Sequence, residues 1–169
     1  MRPFLRFALR DLALAALTVG LVLADAHTRA EGTGTSALGV ALGLATGALV
    51  VLLGFLAHEW GHLAGSLASG AVVHAPARLA SVFLFRFDTG RSSAAQFLAM
   101  SAGGYAASVV AMGAILAWAD LRAASGLSAV VLAGVGIAVT FALELPTTLR
   151  VWRGGALPGH GGVYVKASP

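Results

Sequence analysis

The chain has no cysteine among its 169 residues. Disulfide staples and thiolate metal sites are therefore excluded, and cysteine usage gives no reading of redox compartment. Charge is nearly as scarce. Asp, Glu, Lys and Arg make up 11% of the sequence, against about 25% in soluble chains. So little charge excludes an ordinary soluble domain. Repeats, low-complexity runs and a second domain are also missing, and the length suits one compact unit. The formal net charge is +4, but the eleven basic residues are scattered at the ends of apolar runs. That placement suits membrane topology and argues against a nucleic-acid partner.

Apolar residues fill the rest, at 58% of the chain with a mean hydropathy of +0.86. A spanning helix needs roughly 20 apolar residues. Four stretches qualify, at about 4–24, 36–67, 95–119 and 127–145. The expectation is an all-α membrane protein with about four transmembrane helices, a single integral membrane domain over 1–169 and a tail over 147–169. Gly39, Gly43 and Gly47 lie four apart on the second stretch, a small-residue stripe that permits close helix contact, internal or in a homo-oligomer. The first stretch also fits a signal peptide, with Arg2, Arg6 and Arg10 before an apolar core and then Ala24–Ala26. With the N-terminus cytoplasmic, nine basic residues fall inside and two, Arg29 and Arg122, outside. This positive-inside bias predicts cytoplasmic termini, and the expected location is a bacterial inner (plasma) membrane.

Between the second and third stretches, Phe83, Phe85 and Phe87 alternate with Leu84 and Arg86. A two-residue period predicts a β-like segment within 72–88, with Pro76 at its start or edge. Such a strand has to pair with a neighbour or rest at the interface, because lipid leaves its backbone unsatisfied.

The chemistry concentrates in "HEWGH", residues 58–62, which matches the pattern H-E-x-x-H. Residues four apart share a helix face, so His58 and His62 can address one metal ion while Glu59 reaches its water as general base. A catalytic zinc site uses three protein ligands and one open position. Haem is disfavoured, since two ligands on one helix face do not reach opposite sides of a porphyrin. The competing reading is a pair of packing histidines and a hydrogen-bonding glutamate, but ionisable groups in a membrane segment usually mark function. For the third ligand His27 lies across the membrane, His74 in the loop and His160 in a glycine-rich stretch. Glu144 is the carboxylate alternative, at the end of the fourth helix, where Pro146 is expected to turn the chain. Spacing leaves His160 and Glu144 both open.

Three segments resemble the site-2 protease family of intramembrane zinc metalloproteases, over roughly residues 48–165. "GFLAHEWGHLAGSLASG" is similar to the family's metal-binding helix. In "QFLAMSAGGYAASVVAMGAIL", Gly103 and Gly104 stand at the family's glycine-proline place and Ser108 near that of its Asn. "LELPTTLRVWRGGALPGHGG" is similar to its Asn-Leu-Pro and Pro-x-x-Asp-Gly stretch, with His160 where the family has a ligating Asp and Glu144 near the substrate-contacting Asn. The resemblance implies Zn2+ held by His58, His62 and His160, Glu59 as general base, and hydrolysis of a peptide bond in a membrane-spanning substrate. It also implies an extended substrate added to the loop strand. The implied partners are a membrane-protein or transmembrane-peptide substrate, the lipid bilayer and a regulatory membrane partner. The missing Asp motivates the alternative, an inactive pseudoprotease serving as a binding or regulatory subunit. A metal-binding transport component is a third reading.

Overall fold

The computed structural model describes residues 2–159 and 163–166. Among these residues four helices dominate: α1 (Arg2–Ala30), α2 (Ala37–Ala68), α3 (Ala94–Trp118) and α4 (Ala124–Trp152). Each is long and apolar enough to cross a membrane, and the chain is an all-α membrane protein. Their outward faces carry large apolar side chains such as Leu12, Leu38, Val110 and Leu143, the surface that lipid tails solvate. A small sheet accompanies them, made of β1 (Val73–His74), β2 (Arg86–Asp88) and β3 (Tyr164–Val165) in the order β1-β2-β3. β1 pairs antiparallel with β2, and β3 pairs parallel with it.

Local chemistry sets the helix ends. Ser36 caps α2 by accepting from the Gly39 amide at 3.1 Å. At its far end Gly70 takes φ +71°, and the Ala71 amide reaches back to the Ser66 carbonyl at 2.9 Å. That left-handed turn is one glycine adopts without strain. Ser93 and Gln96 form a reciprocal capping box on α3. The same Gln96 donates to the Ser69 carbonyl at 3.1 Å, tying the start of α3 to the end of α2.

Helix α2 is central and packs on α1, α3 and α4. Glycine decides how closely. A Cβ on Gly61 or Gly103 would strike the other's carbonyl oxygen, and one on Gly65 would strike that of Ala99. The Gly39, Gly43 and Gly47 stripe is an internal contact: Gly43 and Gly47 face Ala124, Ser125 and Ser128 at the start of α4, and Gly39 faces the backbone of Thr33 and Gly34. The main core lies at the loop end of the bundle, where Phe7, Leu63, Phe97, Met100 and Val151 close around Leu84, Phe85 and Phe87.

Two expectations need correction. Pro146 does not end α4, which runs on to Trp152, so the segment after it begins at 153 rather than 147. Proline removes the bond its amide would make to the Ala142 carbonyl, a loss that membrane helices tolerate; beyond it the Thr148 hydroxyl bonds the Glu144 carbonyl at 3.2 Å. The strand in the loop is shorter than the alternation of Phe83, Phe85 and Phe87 implied, covering Arg86–Asp88 with the two-residue β1 beside it. Upstream of β2 the backbone is committed elsewhere. The Leu84 amide donates to Glu59 at 3.3 Å, and Arg10 donates to the Leu79 and Ser81 carbonyls, both at 2.8 Å. Leu84 is wholly buried and Phe83 is 39% exposed, the reverse of a clean alternation.

Candidate metal centre

The segment from His58 to His62 occupies the last third of α2, about 30 Å along the helix from its first residue at the usual rise. Both histidines and Glu59 are buried. Packing against α3 fixes the imidazoles. His62 Nδ1 lies 2.9 Å from the Met100 carbonyl oxygen. His58 Nδ1 lies 3.0 Å from the Gly104 carbonyl and 2.9 Å from Ser108 Oγ. A carbonyl only accepts, so each Nδ1 carries a proton, and in the neutral ring each Nε2 then presents a lone pair. These two Nε2 atoms are 2.9 Å apart. Facing lone pairs repel unless a cation sits between them.

Helix α4 adds a carboxylate to the same place. Glu144 Oε1 is 3.4 Å from His58 Nε2, and Oε2 is 3.3 Å from His62 Nε2. One ligand atom from each of His58, His62 and Glu144 fits within 4.8 Å of the others. Nitrogen ligands about 2.0–2.1 Å from a tetrahedral zinc stand about 3.3 Å apart, so the observed spacing suits such an ion after a few tenths of an ångström of relaxation. Two neutral imidazoles and one carboxylate also suit its charge and ligand preference. Carbonyl and hydroxyl partners on the outer nitrogens are the usual support for metal-ligating histidine.

Glycine makes room for this arrangement. A Cβ on Gly104 would overlap the His62 ring. On α4, Thr148 Oγ1 lies 2.9 Å from the Tyr105 hydroxyl and 3.3 Å from Ser101 Oγ, joining the helix that carries Glu144 to α3. Beside the cluster lies a cavity of about 260 Å³ lined by Glu59, His62, Glu144, Phe85, Thr148 and Tyr164, among others. Glu59 Oε2 is held at its wall by the Leu84 amide. Burial, with the Glu144, Tyr105 and Glu59 side chains nearby, pushes the Tyr164 hydroxyl up to about 12, so it stays protonated and able to donate.

Of the residues singled out from the sequence, the structure brings together His58, His62 and Glu144, with Glu59 on the adjoining cavity wall. His160 lies outside the described residues. His27 pairs with Glu31 at 3.2 Å near the end of α1, and His74 with Asp88 at 3.1 Å in the sheet. The Met100 and Gly104 carbonyls, the Leu84 amide, Thr148 and Tyr164 escaped sequence reasoning. Backbone groups have no residue signature, and hydroxyls on apolar helices read as packing. No family model, curated protein or solved structure matches the chain, so its own geometry carries the functional reading.

Proposed function

We propose that the chain is an intramembrane zinc metalloprotease resembling the site-2 protease family. One observation carries the reading: two Nε2 lone pairs 2.9 Å apart, with a carboxylate 3.3–3.4 Å from both, inside an apolar helix bundle. Buried polar groups arranged this way are costly without a cation to share, and an intramembrane ionisable cluster marks a site by default.

His58, His62 and Glu144 are the proposed ligands. A zinc ion held by them would supply Lewis acidity and a bound water of pKa roughly 7. Glu59 would act as the general base and acid, accepting the water's proton as the oxygen adds to the scissile carbonyl carbon and returning it to the amine nitrogen as the C–N bond breaks. The Leu84 amide holds one Glu59 oxygen in place during both transfers. Met100, Gly104 and Ser108 keep the imidazoles in the tautomer the site needs. Phe83, Phe85 and Leu143 along the cavity exclude bulk water from the reacting bond.

The substrate is a membrane-spanning segment. The reading puts the protein in the inner membrane of a bacterium with both termini cytoplasmic, supported by nine basic residues on that side against two, and it expects control by another membrane protein. Metal analysis of detergent-purified protein tests it, with about one zinc per chain expected by the three-ligand rule and none in His58→Ala. Glu59→Gln is expected to keep the zinc and abolish cleavage of a transmembrane peptide. Normal turnover by that variant overturns the mechanism, and full cellular function of it turns the assignment to a pseudoprotease.

A further inference from the structure

The segment after α4 returns to the site. Tyr164 pairs with Phe87 and Val165 with Asp88, so β3 lies along the flank of β2 that β1 leaves open. Bonds of this pairing include the Phe87 amide to the Val163 carbonyl and the Thr89 amide to that of Val165, both at 2.8 Å, with the Thr89 hydroxyl reaching the Val165 carbonyl at 3.2 Å. The Tyr164 ring rests on Phe97 with centroids 6.0 Å apart. Val163 and Tyr164 line the same cavity as Glu59, His62 and Glu144. Leu143 lines it too while 73% exposed on the outer face of α4, which gives the cavity a side facing lipid.

A peptide bond offered to Glu59 belongs to extended backbone, because a helix hides its carbonyls in its own ladder. Extended backbone needs a strand to pair with, and more so at membrane depth. Of the two strands bordering this cavity, β2 has both its flanks taken. We propose that β3 is a resident occupant of the peptide-binding flank of β2, which an extended apolar substrate segment displaces to reach Glu59. The chain thereby holds its own site closed until a substrate outcompetes β3. This inference rests on the proteolytic reading for its substrate class but predicts a movement measurable without turnover.

The absence of cysteine allows one introduced thiol to report on β3. The full-length double variant Glu59→Gln, Val165→Cys is mixed with a transmembrane Leu/Ala peptide of ~20 residues carrying a central Gly-Asn pair. Peptide binding is followed by anisotropy and thiol labelling in parallel. Labelling at 165 is expected to rise at least ~5-fold as the peptide saturates, the signature of a displaced population. Bound peptide with unchanged labelling overturns the proposal. A second variant, Val165→Pro, removes a strand amide and is expected to lower the apparent Kd, or KM in the Glu59 protein, by ~10-fold. If β3 is instead a fixed wall of the site, that variant binds more weakly, and the proposal fails. It fails also if neither protein binds the peptide. Displacement of β3 without any cleavage by the Glu59 protein keeps the occupant and removes the protease reading.

Discussion

Both ends of the helix bundle bury acidic groups, and they treat them oppositely. At the end away from the loop, Asp25 of α1 is 3% exposed. It accepts from Ser125 at 2.7 Å and from Arg29 at 3.1 Å, while Arg29 also faces Asp120 at 3.6 Å. Donors and acceptors there match, so the cluster is complete and acts as a clasp between α1 and α4. At the loop end, two imidazole lone pairs and a carboxylate converge with only acceptors aimed at their common centre. The first end pairs its charges within the protein; at the second, the proposed zinc would supply the positive charge that the three ligands share. Asp25 is the more deeply buried of the two carboxylates, yet it is the sign of what converges that separates a clasp from a candidate binding centre.

Substitutions sharpen this contrast. The largest effect is expected from Gly104→Val, whose side chain occupies the place of the His62 ring. Zinc stoichiometry should fall to background while circular dichroism keeps its helical signal; retained zinc would show that α3 yields. Next comes Glu144→Ala, expected to weaken zinc binding by ~100-fold, the upper range for altered metal surroundings, measured by competition with a chromophoric chelator. Asp25→Ala should act in the other currency. Losing hydrogen bonds to a buried charge is worth about 1.5–3 kcal/mol of stability, read by unfolding in mixed micelles, with zinc per chain unchanged. A drop in zinc there would break the separation between the two ends. The smallest effect belongs to Ser108→Ala, which leaves His58 Nδ1 its Gly104 partner and should cost ~10-fold in zinc affinity.

Glycine separates the helix interfaces in a similar way. The stripe at Gly39, Gly43 and Gly47 brings α2 onto α4 and the α1–α2 turn, far from the histidines. Gly61, Gly65, Gly103 and Gly104 bring α2 onto α3 where the Met100 and Gly104 carbonyls hold the imidazoles. Only the second set bears on the site, although the first has the more regular spacing in the sequence.

Much of this protein follows from local rules that a sequence obeys without reference to partners. Long apolar runs with few charges become spanning helices, because lipid requires every backbone group to bond within its own segment. Residues four apart share a helix face, which puts His58 and His62 side by side before any packing is known. Tertiary structure alone decided the rest. Glu144 is 86 residues from His58 along the chain, and only the packing of α4 on α2 brings its carboxylate within reach. Helix α4 continues past Pro146 to Trp152, although a proline read on its own predicts a stop. The loop strand lost most of its length because Glu59 and Arg10 claimed its backbone groups. Periodicity reports which face a residue occupies on its own element, whereas a site gathered from three helices and a loop depends on distances that no single element encodes.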